Sequence, residues 1–354
     1  MADAELLSEE YAEYLIPSTI IQLILGTFGV LGNGLVLLMY TKYIQDNTGC
    51  RYFIPILAIV DLLGSFSNVT QFHFDNTMRY IYPGVFLCKT MTFLIVLTNG
   101  LSTHLILAIA LQRYRLICRP FGKQLTPKVC RIVIFVIFWI SIGYAAPIFK
   151  FKTISYHIKS LNVTGDVSFC HIDDGTNNSS AIIAYLGSLL LISFINIFIT
   201  SGLYIPVIKT VYKRLPHAER YRPNNIQDSS SHDVSTEIEM VSVGKVTIEQ
   251  NSLSTDEENR NASKKRKGPE HNSRSNISVM FFVIIIVYVV SYMTSLVTHI
   301  YDFASTGEIK GYKRNIYVLS IRFQLINHIA NPYIYWFYDF KFREELRRVF
   351  CRIN

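Results

Sequence analysis

Charge is scarce in this chain. Asp, Glu, Lys and Arg make up only 17% of its 354 residues, hydrophobic types make up 50%, and mean hydropathy is +0.27. Soluble domains carry about a quarter charged residues, so a soluble class is excluded and a polytopic membrane protein is expected. Residues 1–13 contain no Lys or Arg but hold the acids Asp3, Glu5, Glu9, Glu10 and Glu13. A cleavable signal peptide starts with basic residues, so the first span itself is expected to act as the insertion signal. No span holds paired carboxylates or a His-x-x-x-His spacing, which argues against an intramembrane enzyme. No repeat relates the two halves, which argues against a transporter or channel. The net charge of +8 comes mostly from Lys and Arg between the apolar runs, as the positive-inside bias requires, so no nucleic-acid partner is expected.

Long apolar runs are what the chain has in abundance. Thr90 to Gln112 passes without a formal charge and ends at Arg113, Arg115 and Arg119. At about 1.5 Å per residue, such a run crosses a hydrocarbon core of about 30 Å as a helix. Seven runs fall at about 14–41, 52–75, 89–118, 131–149, 181–212, 276–302 and 315–338. They are roughly two to three times the length of a barrel strand, so the expected fold is an all-α membrane bundle of seven spans over 14–338. Lys42 and Arg51 follow span one, Arg115 to Arg131 separate spans three and four, and Arg343 to Arg352 follow span seven. Those ends are cytoplasmic, which places residues 1–13 outside the cell. Residues 213–275, with serine and acid clusters and the basic block Lys264 to Lys267, read as a disordered third cytoplasmic loop whose lysines meet anionic lipid. Over 339–354, Phe342, Leu346, Val349 and Phe350 are interleaved with basic residues as in an amphipathic helix on a membrane surface. Cys351 at its end is a palmitoylation candidate, with an unmodified thiol as the alternative.

This topology sets Cys50, Cys118, Cys130 and Cys351 at the reducing face and leaves Cys88 and Cys170 outside. The outer two are expected to pair, tying the start of span three to the second extracellular loop; two free thiols are the alternative. Glycosylation acceptors in the same loop are Asn162, Asn177 and Asn178.

An ionisable group at the centre of a spanning helix costs about 2.5–3.5 kcal/mol on insertion, so each needs a reason. Asp61 lies mid-span among Leu57, Ala58, Ile59, Val60, Leu62 and Leu63, and must face the bundle. Asn33, Ser102, Asn327 and Asn331 on other spans are its available partners. A carboxylate among amides and a hydroxyl reads as a small-cation or proton site; a hydrogen-bond network that holds helices together is the alternative.

Gly32-Asn33 in span one, Leu57-Ala58-x-x-Asp61 in span two, Cys88 and Cys170, Gln112-Arg113-Tyr114 with Pro120, Trp139, Tyr204 and Asn331-Pro332-Tyr333-Ile334-Tyr335 resemble the rhodopsin-like (class A) G-protein-coupled receptors. The resemblance runs over roughly residues 15–352 apart from the long loop. It implies a plasma-membrane receptor for an extracellular ligand, coupled to heterotrimeric G protein and followed by receptor kinase and arrestin. It implies no cofactor beyond an allosteric sodium ion at Asp61, in a pocket with Asn33, Ser102, Asn327 and Asn331. Gln112, Arg113, Tyr114, Tyr204, Pro332 and Tyr335 match the group that rearranges to admit the G protein. The chain also departs from the family pattern. Gln112 and Arg274 stand where acids are usual, Asn196 replaces the proline of span five, and span six reads Tyr288…Ser291-Tyr292-Met293-Thr294 instead of Phe…Cys-Trp-x-Pro.

For the ligand, the amine-receptor aspartate aligns with Ile95 and the retinal lysine with Leu325, which disfavours both chemistries. Gln71, Asp75, Ile95, Asn99, Tyr292, His299, Asp302 and Gln324 remain as the candidate ligand-binding set. With His73 and Arg322 they form a wide polar vestibule that suits a neuropeptide; a non-peptide small molecule is the alternative. The acidic N-terminus favours a basic partner.

Overall fold

The computed structural model describes residues 2–44, 51–155, 167–172, 179–219, 268–304 and 312–353. Cys50, Asn162, Asn177, Asn178 and most of the expected third cytoplasmic loop lie outside the described residues, as do the side chains of Arg274, Asp302 and Phe350. The long helices are α1 (Ala2–Leu38), which runs into a π-helical turn at Met39–Tyr43, α2 (Ile54–Thr77), α3 (Val85–Cys118) and α4 (Pro127–Ala145). A single turn, α5 (Ile148–Phe151), leads into an antiparallel hairpin of β1 (Lys152–Ser155) and β2 (Phe169–Ile172). Then come α6 (Ser179–Glu219), α7 (Gly268–Ala304), the shorter α8 (Tyr312–Ile321) and α9 (Leu325–Tyr338), and finally α10 (Phe340–Ile353). Phe198 is 81% exposed, and Ile132 and Phe135 are 63% exposed. Aromatic and aliphatic groups bare on the outside of a bundle are stable against lipid, not water.

Six of the described helices are long and apolar enough to cross a membrane, and the seventh run is covered by α8 and α9 together. Hydrogen bonding explains the break. The Ser295 hydroxyl on α7 donates to the Ile321 carbonyl (2.7 Å), and the amides of Leu325 and Ile326 turn to carbonyls three residues back, on Arg322 and Phe323 (3.0 Å each). The tightened turn aims Arg322 inward at α2. At the other end of the chain, the helix of span one begins at Ala2, well before residue 14. Its Ser8 hydroxyl accepts from the Tyr80 amide (3.0 Å), and the Tyr11 ring has the guanidinium groups of Arg79 and Arg314 at 4.8 and 4.4 Å.

Pro332 sits inside α9, where it has no N–H to give the carbonyl of His328 four residues earlier. That carbonyl accepts instead from Asn33 Nδ2 on α1 (2.7 Å). Beside it, a Cβ on Gly32 would lie 3.0 Å from the Pro332 ring, so glycine there lets α1 close on the proline bend. The Gly32-Asn33 pair thus repairs the backbone that Pro332 opens. Asn33→Ala strands a buried carbonyl, and about 1–3 kcal/mol of stability should be lost. An unchanged thermal midpoint of the detergent-purified protein would refute this account.

Candidate functional site

Three polar layers stack along the bundle axis. The outermost gathers on Arg322. Its guanidinium donates to Asn76 Oδ1 (2.7 Å) and Gln22 Oε1 (3.2 Å), lies 3.7 Å from an Asp75 carboxylate oxygen and covers the Phe72 ring at 4.3 Å. Gln71 Nε2 donates to Asp75 (2.9 Å), and Gln324 Oε1 lies 3.5 Å from the Ser295 hydroxyl. His299 is exposed. The disulfide Cys88–Cys170 ties the hairpin over the first turn of α3, with a Cα–Cα distance of 5.9 Å. Lys152 stands at the hairpin edge; burial pushes its amine below the usual lysine range, the Asp75 carboxylate pulls it back up, and Arg79 lowers it further. Ile95 and Leu325, the positions aligned with the amine-receptor aspartate and the retinal lysine, pack in one apolar cluster with Phe72 and Ile329.

The middle layer centres on Asp61, which is fully buried. Its Oδ1 accepts from Ser102 Oγ (3.2 Å) and faces His328 Nδ1 (2.8 Å), while Oδ2 accepts from Asn331 Nδ2 (2.5 Å). Asn327 Nδ2 donates to Ser102 Oγ (3.0 Å). All four residues expected around the carboxylate are brought together, although Asn33 reaches the cluster through the His328 carbonyl and Asn327 through Ser102, not through Asp61 itself. His328 is the member that sequence reasoning does not single out. The signal was available: an ionisable ring on span seven, three residues before Asn331, needs a polar partner. Its Nε2 lies 2.8 Å from Asn99 Oδ1, and Asn99 in turn accepts from the Tyr292 hydroxyl at its carbonyl (3.1 Å) and at Oδ1 (3.3 Å). Asn99 and Tyr292 are therefore joined through His328 to the Asp61 layer.

The departures in spans five and six compensate one another. Tyr288 Oη donates to Asn196 Oδ1 (3.1 Å), so a tyrosine where phenylalanine is usual meets an amide where proline is usual. A buried hydroxyl without this acceptor would be costly.

The inner layer holds Arg113, 1% exposed, with its guanidinium 4.4 Å above the Phe281 ring of α7. Tyr204 Oη donates to the Ser278 carbonyl (2.6 Å), and its ring stacks on Phe282. Tyr335 is fully buried with its ring edge on Tyr40. Gln112 is buried and Tyr114 packs against the core. Below them Asp339 accepts from Arg51 Nε (2.7 Å) and Nη2 (3.1 Å), from Tyr40 Oη (2.7 Å) and from the Lys341 amide (3.0 Å), so one carboxylate binds the π-helical turn after α1, the segment leading into α2 and the first turn of α10. Phe342 of α10 stacks on Tyr40, and Leu346 and Val349 pack on the core. Cys351 is exposed.

The comparisons agree with this architecture. The structure superposes on a crystal structure of squid rhodopsin with a TM-score of 0.64 at 20% identity, covering 97% of this chain and 86% of that one. The chain is 24% identical to the tachykinin-like peptides receptor 86C of Drosophila melanogaster over 91% of its own length and 56% of the relative's. To cephalotocin receptor 2 of Octopus vulgaris it is 25% identical, over 54% of the chain and 44% of the relative. To compound eye opsin BCRH1 of Hemigrapsus sanguineus it is 23% identical, over 65% and 61%. Each alignment thus spans less than two thirds of the relative. Residues 32–335 match the pattern of the 7 transmembrane receptor (rhodopsin family), so more than half of the chain carries it and this protein belongs to that family of multi-pass membrane receptors, not to a family of enzymes.

Proposed function

We propose that the chain is a plasma-membrane receptor, N-terminus outside, that binds an extracellular peptide and activates heterotrimeric G proteins. The observation that carries this reading is the hydrogen-bonded path from Tyr292, one turn inward of Ser295, through Asn99 and His328 to Asp61 and Asn331 beside Pro332. A ligand seated in the outer cleft and touching α7 biases two arrangements of that path, and with them the inner ends of α7 and α9. Relatives named as receptors for tachykinin-like peptides, cephalotocin and RYamide favour a peptide. Ile95 and Leu325, members of one apolar cluster, supply neither the carboxylate that holds an amine nor the lysine that forms a retinal Schiff base. Cells expressing the chain, challenged with a peptide library and read by G-protein dissociation, are expected to answer at least one peptide. A response confined to non-peptide small molecules would overturn the peptide reading.

Gln112 and Arg274 set the resting bias. A carboxylate paired with Arg113 is worth about 1–3 kcal/mol, or about tenfold in the population of the closed state. Gln112→Glu is therefore expected to lower ligand-independent signalling about tenfold. Equal basal signals at matched surface expression would refute this. The phosphates that recruit arrestin are assigned to the third-loop serines beside Asp228, Asp233 and Asp256 to Glu258, where added charge turns a mixed-charge loop strongly anionic. Alanine at Ser229, Ser230, Ser231, Ser235, Ser252, Ser254 and Thr255 is expected to abolish arrestin recruitment; undiminished recruitment would refute the assignment. Lys341, Arg343 and Arg347, which flank the apolar stripe of α10 on its two sides, are assigned to lipid headgroups.

The residues around Asp61 do not fit the sodium ion that the family resemblance implies. Three donors, from Ser102, His328 and Asn331, already converge on a carboxylate with about four lone-pair sites, and the Ser102 oxygen is itself taken by Asn327. A metal cation needs oxygen lone pairs facing it, not N–H groups or the hydrogen end of a hydroxyl.

A further inference from the structure

From this misfit we infer that His328 takes the place of the cation, so the receptor carries its own counter-group to Asp61 and is blind to sodium. Geometry supports this on every side of the ring. From α2, Asp61 Oδ1 lies 2.8 Å from Nδ1; an ionised Asp61 can only accept, so the ring nitrogen is the donor. From α3, Asn99 meets the other nitrogen at 2.8 Å, and Ser102 shares the carboxylate oxygen. From α7, Tyr292 approaches only through Asn99, and from α1, Asn33 holds the His328 carbonyl. Asp61 is thus the one charged group in hydrogen-bonding contact with the ring among the described residues.

A second observation shows that the space is made for the ring. A Cβ on Gly64 would lie 2.8 to 3.0 Å from His328 Cε1, Nδ1 and Nε2, so α2 can accept an imidazole only because position 64 has no side chain. Once the imidazole is removed, Asp61 Oδ1 regains a lone pair. Asn327 Oδ1, buried without a hydrogen-bond partner among the described residues on a side chain tied to Ser102, is a further acceptor for a cation. The inference concerns this layer alone and is independent of which ligand the outer cleft takes.

The test compares thermal unfolding of the detergent-purified full chain in sodium chloride and in choline chloride at matched ionic strength. Wild-type midpoints are expected to coincide, and His328→Ser is expected to melt about 2–4 °C higher in sodium. Sodium-specific stabilisation of the wild type, lost in Asp61→Asn, would overturn the inference, and so would a folded His328→Ser protein indifferent to sodium. If His328→Ser does not fold, the wild-type comparison still decides. Gly64→Ala supplies a further arm: it should lower the midpoint in the wild type but leave it level or raise it beside His328→Ser, where alanine only adds helix propensity. Equal effects of Gly64→Ala in both backgrounds would also overturn the inference.

Discussion

Asp339→Leu is expected to destabilise the receptor by about 3–5 kcal/mol, because it leaves the Arg51 guanidinium, 5% exposed, facing an apolar side chain. Arg51→Met should cost a similar amount by stranding the carboxylate. The double variant should recover most of the loss, since a buried ion pair exchanged for two apolar groups of like volume is close to neutral. Recovery stops short by about 1 kcal/mol, because Asp339 also accepts from the Lys341 amide at the start of α10, and Tyr40 Oη loses its acceptor as well. Thermal midpoints of the four proteins in detergent form the cycle. Additive losses in the double variant would show that Arg51 and Asp339 are not coupled. The consequence for signalling is specific: α10 hangs from this carboxylate next to Tyr335, so its loosening should impair G-protein activation more than cell-surface delivery of the protein that does fold.

Loss of the disulfide is the second large effect. Cys88 and Cys170 are 82 residues apart, and closing a loop of that size removes about 4–5 kcal/mol of chain entropy from the unfolded state, an upper value because the helices already confine the chain. Cys170→Ser, Cys88→Ser and the double variant should therefore be equally destabilised, and each should release the β1–β2 hairpin from α3. Tyr82, Ile154 and the two cysteines form a small core of their own under that hairpin, so its packing is lost with the bond. A double variant markedly worse than either single one would mean that each cysteine also contributes separately.

Much of this protein is legible in its residue order because lipid imposes a strict rule. A backbone in hydrocarbon must satisfy its own hydrogen bonds, so a long uncharged run can only be a helix, and the number of spans and the all-α class follow from counting. The pairing of Cys88 with Cys170 follows the same way from sidedness. The convergence of Asn33, Ser102, Asn327 and Asn331 near Asp61 was legible too, since a carboxylate inside a bundle must find polar neighbours on other spans. Distances between helices are not written in such runs, and there the tertiary structure decided. It broke span seven at Ile321 because Ser295, twenty-six positions earlier, takes the carbonyl. It gave Asn33 to the His328 carbonyl, and it paired Asn196 with Tyr288, two departures that look unrelated in one dimension. It set the His328 ring against Gly64 and beside Asp61, a neighbour that the residue order alone does not single out. Each of these depends on which faces of two distant helices meet, and apolar runs that are buried on one side by protein and on the other by lipid carry almost no periodic signal of that choice.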